Sequence, residues 1–431
     1  MDARSPALAL PLERHNAGSA ALAGRLLNFV LFITVLTSAI AFIEPSPHDA
    51  LMFVLLSTCV IARVRFDRKL IPLLVLMILW LVGGAMSLTQ VGDDAKAIQY
   101  FGTSVYLGIA VVMFACLFSD GNPVRLSILR RAYILAALYA TLAGYIGFFH
   151  LLPHSDIFLA YSEDGGVVGR VSATFKDPNV YGPFLIYPLL LLVIGFLTRG
   201  VTLLGLVTIA FLLGGLFLSF SRGAWFHFGL SAVIAIATLY VASPNPRMRT
   251  RIVIFSVLGA FAVALLLIAL TSIGSVHELL LVRAKAIQPY DVGSNGRFSL
   301  QELAIGAILD HPNGMGPDQF GIVFGGQQHN VYMECFLVYG WLGGATYLAI
   351  VALTFMIGLR NMLMPTPWQG YLIAAYAAFV GEAAESFIID SDHWRHFFLI
   401  VGLVWGLSVA TINWRRRQAF AIAAEGAMLP A

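Results

Sequence analysis

Twelve apolar stretches follow one another along the chain, at 26–43, 49–63, 70–88, 98–118, 128–150, 181–198, 201–219, 223–241, 252–272, 331–359, 368–388 and 396–413. A helix rises about 1.5 Å per residue and a bilayer's hydrocarbon core is about 30 Å thick, so roughly 17 to 25 apolar residues cross it. With no water to satisfy backbone groups, a chain built this way crosses as helices. The expected fold is an all-α polytopic membrane protein with about 12 transmembrane helices. With only 11% of residues charged, the chain cannot coat a soluble protein of 431 residues. A net charge of +3, with no basic tract interleaved with aromatics, gives no reason to expect a nucleic-acid partner. Cys59, Cys116 and Cys335 sit in apolar segments without ligand or pairing spacing, so neither a zinc site nor a disulfide framework is expected. The polar stretch before Leu26 has no apolar core, and the first apolar run is expected to stay in the membrane.

Orientation follows from the loop cations, because Lys and Arg concentrate on the cytoplasmic side. With the N-terminus inside, 18 of the 26 basic residues fall in inner loops and 8 in outer ones. Both termini are then cytoplasmic: residues 1–25 form an N-terminal segment, 26–413 one membrane domain and 414–431 a C-terminal tail. Two connections are long, 151–180 and 273–330, the larger between the ninth and tenth helices, and both lie outside. Long loops in a compact protein usually carry function.

The chemistry-bearing residues collect on that outer side. Arg222, in "FLSFSRGAWFHFGL", stands at the boundary between the seventh and eighth apolar stretches. A cation there either snorkels to lipid headgroups or meets a substrate. The first outer loop contributes Arg170, Lys176 and Asn179 ahead of a helix beginning near Tyr181, Lys176 being equally compatible with a solvated charge. In the second, Arg297 opens an amphipathic stretch that ends at "HPNGMGP" and is expected to lie on the membrane surface. His329 and Asn330 stand at the mouth of the tenth helix, with Glu334 in its first turn. Glu382 and Glu385 occupy the outer third of the eleventh helix, where they either serve the site or neutralise its arginines; Asp390, Asp392, His393 and Arg395 follow. A basic pocket at this depth suits a lipid carrying phosphate, since the planar arginine fork grips phosphate oxygens and stays charged when desolvated. No metal-ligand cluster or nucleotide fingerprint is present, so the expected cofactor complement is none.

"SRGAW" at Ser221 to Trp225, "GRFSLQELAIGAILDHPNGMGPDQF" at Gly296 to Phe320 and "HNVYMECFLVYGWLGG" at His329 to Gly344 resemble, in that order, the O-antigen ligase and O-antigen polymerase superfamily. Its members are bacterial inner-membrane glycosyltransferases that use undecaprenyl-diphosphate-linked glycans. The resemblance covers about residues 170 to 360. It implies that Arg222, Arg297 and His329 are the functional residues; Arg170, Lys176, Asn330, Glu334 and Glu382, from their place on the same outer side, are the substrate-binding candidates. It also implies a periplasmic site and an inverting, metal-independent transfer from the carrier to an acceptor hydroxyl. The partners would be that donor, a glycan or lipid A-core acceptor, membrane lipids and other polysaccharide-assembly proteins. "SATFKDPNVYG" and "DSDHWRHFF" are similar to segments of exopolysaccharide-associated members, which favours polymerisation of O-antigen or exopolysaccharide repeat units over ligation to lipid A-core. The rival of another class is a lipid-linked sugar flippase or exporter, which would place its polar site near the bilayer midplane.

Overall fold

The computed structural model describes residues 10–43, 45–92, 94–161, 167–283 and 296–427. The helices are α1 (Leu10–Leu36), α2 (Pro47–Ile61), α3 (Ile71–Leu88), α4 (Ala95–Phe118), α5 (Pro123–Phe148), α6 (Pro178–Phe184), α7 (Ile186–Arg199) and α8 (Leu203–Leu218). They continue as α9 (Arg222–Ala242), α10 (Pro246–Thr271), α11 (Gly274–Arg283), α12 (Arg297–Asp310), α13 (Gln319–Phe324), α14 (Val331–Met362), α15 (Gln369–Glu385) and α16 (Arg395–Ala427). Among the described residues nine segments are long and apolar enough to cross a membrane, and α2 and α8 are shorter apolar helices. The eleventh apolar stretch lies on α15, which has 17 residues. Helix α1 begins inside the expected N-terminal segment, and α16 runs on past Trp414 as a helix with Arg415, Arg416 and Arg417 exposed.

The bundle has its apolar side out as well as in. Helix α10 buries only Ile252 and exposes Val257, Phe261 and Ile268, each by more than 60%. Such a surface is stable only against lipid, and the chain is membrane-embedded. Helix α16, by contrast, has most of its apolar length inside the bundle. Without a hydrophobic drive between helices in lipid, close backbone contact supplies the cohesion. Helices α3 and α14 meet at Gly83 and Gly343, where a Cβ on Gly83 would collide with the Gly343 backbone nitrogen.

Two features depart from a purely helical expectation. Part of the first outer loop forms a small antiparallel sheet, β1 (Leu159–Tyr161) with β2 (Val167–Val171), Leu159 opposite Val171. Val171 is buried against Gly144 of α5, which ties this sheet to the bundle. Helix α14 is also broken. Gly340 has φ 66° and ψ −174°, a conformation only glycine adopts without strain. The "HPNGMGP" turn fills the break: Trp341 N donates to Pro312 O (2.8 Å) and Met315 N to Leu337 O (2.7 Å). The Trp341 indole adds a bond to Ile308 O of α12 (2.7 Å). "HPNGMGP" and "VYGWLGG" are thus two halves of one joint.

Candidate active site

Arg222 is the first residue of α9 because the preceding turn stops α8 sharply. Phe220 takes a left-handed φ of 48°, and Ser221 caps the new helix by accepting from Ala224 N. Arg297 is likewise the first residue of α12, after Gly296. Arg170, on β2, donates Nε to Ser219 O (3.1 Å) and Nη2 to Asn179 Oδ1 (2.8 Å). It thereby bolts the turn before α9 to the start of α6, where Asp177 caps by accepting from Asn179 N (2.7 Å). That helix starts at Pro178, three residues earlier than expected, proline being suited to a first turn whose N–H is unused.

His329 has φ 48° and directly precedes Asn330, whose Oδ1 accepts from Tyr332 N and Met333 N and so caps α14. Its Nδ1 lies 3.0 Å from Asp390 Oδ2. An ionised carboxylate only accepts, so in the neutral imidazole the proton sits on Nδ1 and Nε2 is the nitrogen with the lone pair.

These groups face one cavity of ≈ 1090 Å³, lined by Arg170, Arg222, Arg297, His329, Asn330, Glu385 and Asp390 among others. Two of its cations open helices, where the backbone dipole is already positive. Three arginines and two such helix starts make the cavity suited to a multiply charged anion. Glu385 brings a carboxyl group to the same wall. Its Oε2 lies 2.9 Å from Nδ1 of the buried His227, whose Nε2 donates to Ala378 O (2.9 Å). Glycine follows Arg222 because a Cβ on Gly223 would collide with Glu385 Oε1.

Three sequence candidates lie elsewhere. Glu334 is buried and accepts from Gln328 Nε2; Gln328 O in turn accepts from Gln301 Nε2 of α12 (3.2 Å), tying that helix to the turn before His329. Glu382 is fully buried, 3.3 Å from His396 Nε2. Lys176 lines a second, smaller cavity. Lys285, a further cation of the second outer loop, lies outside the described residues. Helix α12 buries Leu300, Ala304 and Ala307 against its neighbours and exposes Leu303, Ile305 and Leu309. Asp390 and Glu385, which complete the cavity, come from the α15–α16 connection and the end of α15. Next to them, burial pushes the Asp392 carboxyl up from its ordinary range, opposed by the His393 charge and the Tyr100 hydroxyl that donates to it.

A family model described as O-antigen ligase matches residues 207–348. The matched stretch holds Arg222, Arg297 and His329 and all three motifs behind the resemblance; Arg170, Glu385 and Asp390 fall outside it. No curated protein matches the sequence.

Proposed function

Residues 207–348 carry a domain of the O-antigen ligase and polymerase superfamily, whose general activity is glycan transfer, and from that premise we propose that the chain transfers a glycan from an undecaprenyl-diphosphate carrier to an acceptor hydroxyl. The observation that carries this is the meeting of Arg170, Arg222, Arg297 and the His329–Asp390 pair in one cavity. In the proposed step His329 Nε2 takes the acceptor hydroxyl proton while the oxygen attacks the anomeric carbon. The bond to the diphosphate breaks on the opposite face, which inverts the configuration. Arg222 and Arg297 stabilise the charge that gathers on the departing diphosphate, with Arg170 beside them. Asp390 is a positioning residue that fixes the imidazole's tautomer. The site would face the periplasm of a bacterial inner membrane, with both termini cytoplasmic, as the cation partition supports.

Polymerisation of O-antigen or exopolysaccharide repeat units is the preferred form of this activity. Ligation of finished polymer to lipid A-core is the second, and the description of the matching family favours it. Glycan analysis of a deletion strain separates them. Loss of polymer with single repeat units still capping lipid A would mean polymerase, and free polymer that is missing from lipid A would mean ligase. Repeat units stranded on the inner leaflet would instead mean a flippase and would sink the proposal.

A further inference from the structure

One pair on the wall of the arginine cavity has its proton count set by its partners. Glu385 and His227 are both buried, 1% and 0% exposed. His227 Nε2 faces Ala378 O (2.9 Å), and a carbonyl only accepts, so Nε2 carries a hydrogen. His227 Nδ1 faces Glu385 Oε2 (2.9 Å). A neutral ring protonated on Nε2 has only a lone pair at Nδ1, which an ionised carboxylate cannot satisfy. One proton therefore lies between Oε2 and Nδ1. On the histidine it makes an ion pair, and on the glutamic acid a neutral hydrogen bond; in both forms the net charge of the pair is zero.

The same count fixes the role of the other carboxyl oxygen. With the proton held between Oε2 and Nδ1, Oε1 has lone pairs only and accepts. It occupies the space that a side chain on Gly223 would fill, one residue past Arg222, and Arg222, Gly223 and Glu385 all line the cavity. An oxygen that only accepts has nothing to offer a phosphate, whose oxygens accept too. Its match is an O–H or N–H. Asp177 and Asp390, the other acids among the described lining, serve as the cap of α6 and as the partner of His329.

We propose that Glu385 reads the first sugar of the donor: its Oε1 accepts a hydrogen bond from a hydroxyl or amide N–H of the sugar joined to the diphosphate. This rests on the transferase reading above, which puts the diphosphate on Arg222. The carboxyl group stands beside that arginine without repelling the diphosphate, because the shared proton leaves the Glu385–His227 pair neutral. Gly223 leaves room for it there.

The test uses the full-length protein in nanodiscs and measures binding of undecaprenyl diphosphate, bare and carrying one glucose or one N-acetylglucosamine. Glu385→Met should weaken binding of at least one glycosylated carrier roughly five- to tenfold, the scale of one hydrogen bond, and leave the bare carrier's affinity unmoved. Glu385→Gln should restore the glycosylated carrier, because its amide N–H donates to Nδ1 while its carbonyl takes the place of Oε1. Glu385→Met combined with His227→Leu repeats the measurement with both partners removed, so that no buried histidine is left unpaired. Tighter binding of the bare carrier to Glu385→Met would reveal an uncancelled charge and overturn the proposal, as would equal losses for bare and glycosylated carriers. A fall in turnover beyond about a hundredfold in Glu385→Gln, with sugar binding kept, would make Glu385 a proton-transfer group and overturn it too. If the wild-type protein does not bind the bare carrier, the donor assignment falls and takes this proposal with it. If it binds the bare carrier and Glu385→Met spares both glycosylated ones, only the reading of Glu385 falls.

Discussion

The two ends of the bundle use the same residue types for different work. At the end away from the large cavity two cations are paired with an acid close in sequence. Lys69 reaches Asn413 (2.7 Å) and Asp67 (3.4 Å), and Asn413 returns a bond to Asp67 (2.7 Å). Arg125 pairs with Asp120 (3.0 Å) and also donates to Leu117 O (2.7 Å). Burial by itself would raise the Asp67 carboxyl, but the bonds from Lys69 and Asn413 bring it below its ordinary value. In both cases the acid stands two or five residues before its cation. At the cavity end neither Arg222 nor Arg297 has an acidic residue among the five before it. The acids there arrive from α15 and the turn after it, far away in sequence, and they line a shared space. A cation with a local acid is a fastening; a cation facing a cavity at a helix start is equipped for a ligand.

The strongest way to break this contrast is Arg222→Lys. Charge is kept and the planar fork lost, so turnover should fall roughly a hundred- to a thousandfold, about 3 to 4 kcal/mol of transition-state stabilisation. Product formed from purified lipid-linked donor, per amount of folded protein, measures it. Near-normal turnover would make Arg222 a snorkelling headgroup anchor instead. Asp390→Asn should cost less, roughly ten- to a hundredfold in turnover with donor affinity kept, as expected for one bond to a charged group. A loss confined to donor binding would remove Asp390 from its positioning role.

Gly340→Ala tests the frame that carries the site. Alanine would have to hold φ 66° and push into Pro312 and Asn313. We expect roughly 1–3 kcal/mol of destabilisation, visible as a lower Tm in detergent, and an unchanged Tm would mean that the joint is not under constraint. The smallest effect belongs to the far end. Lys69→Met should change stability by no more than about 1 kcal/mol and leave turnover alone; a large loss of turnover would erase the distinction between the ends.

Apolar length made the helical bundle legible without coordinates, since the bilayer leaves few options for backbone polar groups. Arg222, Arg297 and His329 were legible as a set because each sits in a recognisable local pattern. Asp390 and Glu385 were legible as acids on the same side, but their partners were not. The one meets His329 from 61 positions away and the other meets His227 from 158, and no local pattern announces either pairing. Lys176 shows the opposite failure. Sequence put it beside Asn179 in the chain, but gave no sign that it lines the smaller cavity and not the larger one. The small sheet went unread because two short strands carry too little periodicity beside the helical signal around them.

The joint at Gly340 also limits how relatives of this protein can exchange parts. Arg297 lies upstream of the Pro312–Gly314 turn and His329 downstream, and the turn is seated in a notch that α14 forms between Leu337 and Trp341. The outer loop is therefore not a detachable cassette. A chimera that imports the loop without the matching notch would bring the arginine and the histidine but not their spacing. One that swaps turn and notch together would carry the geometry with it.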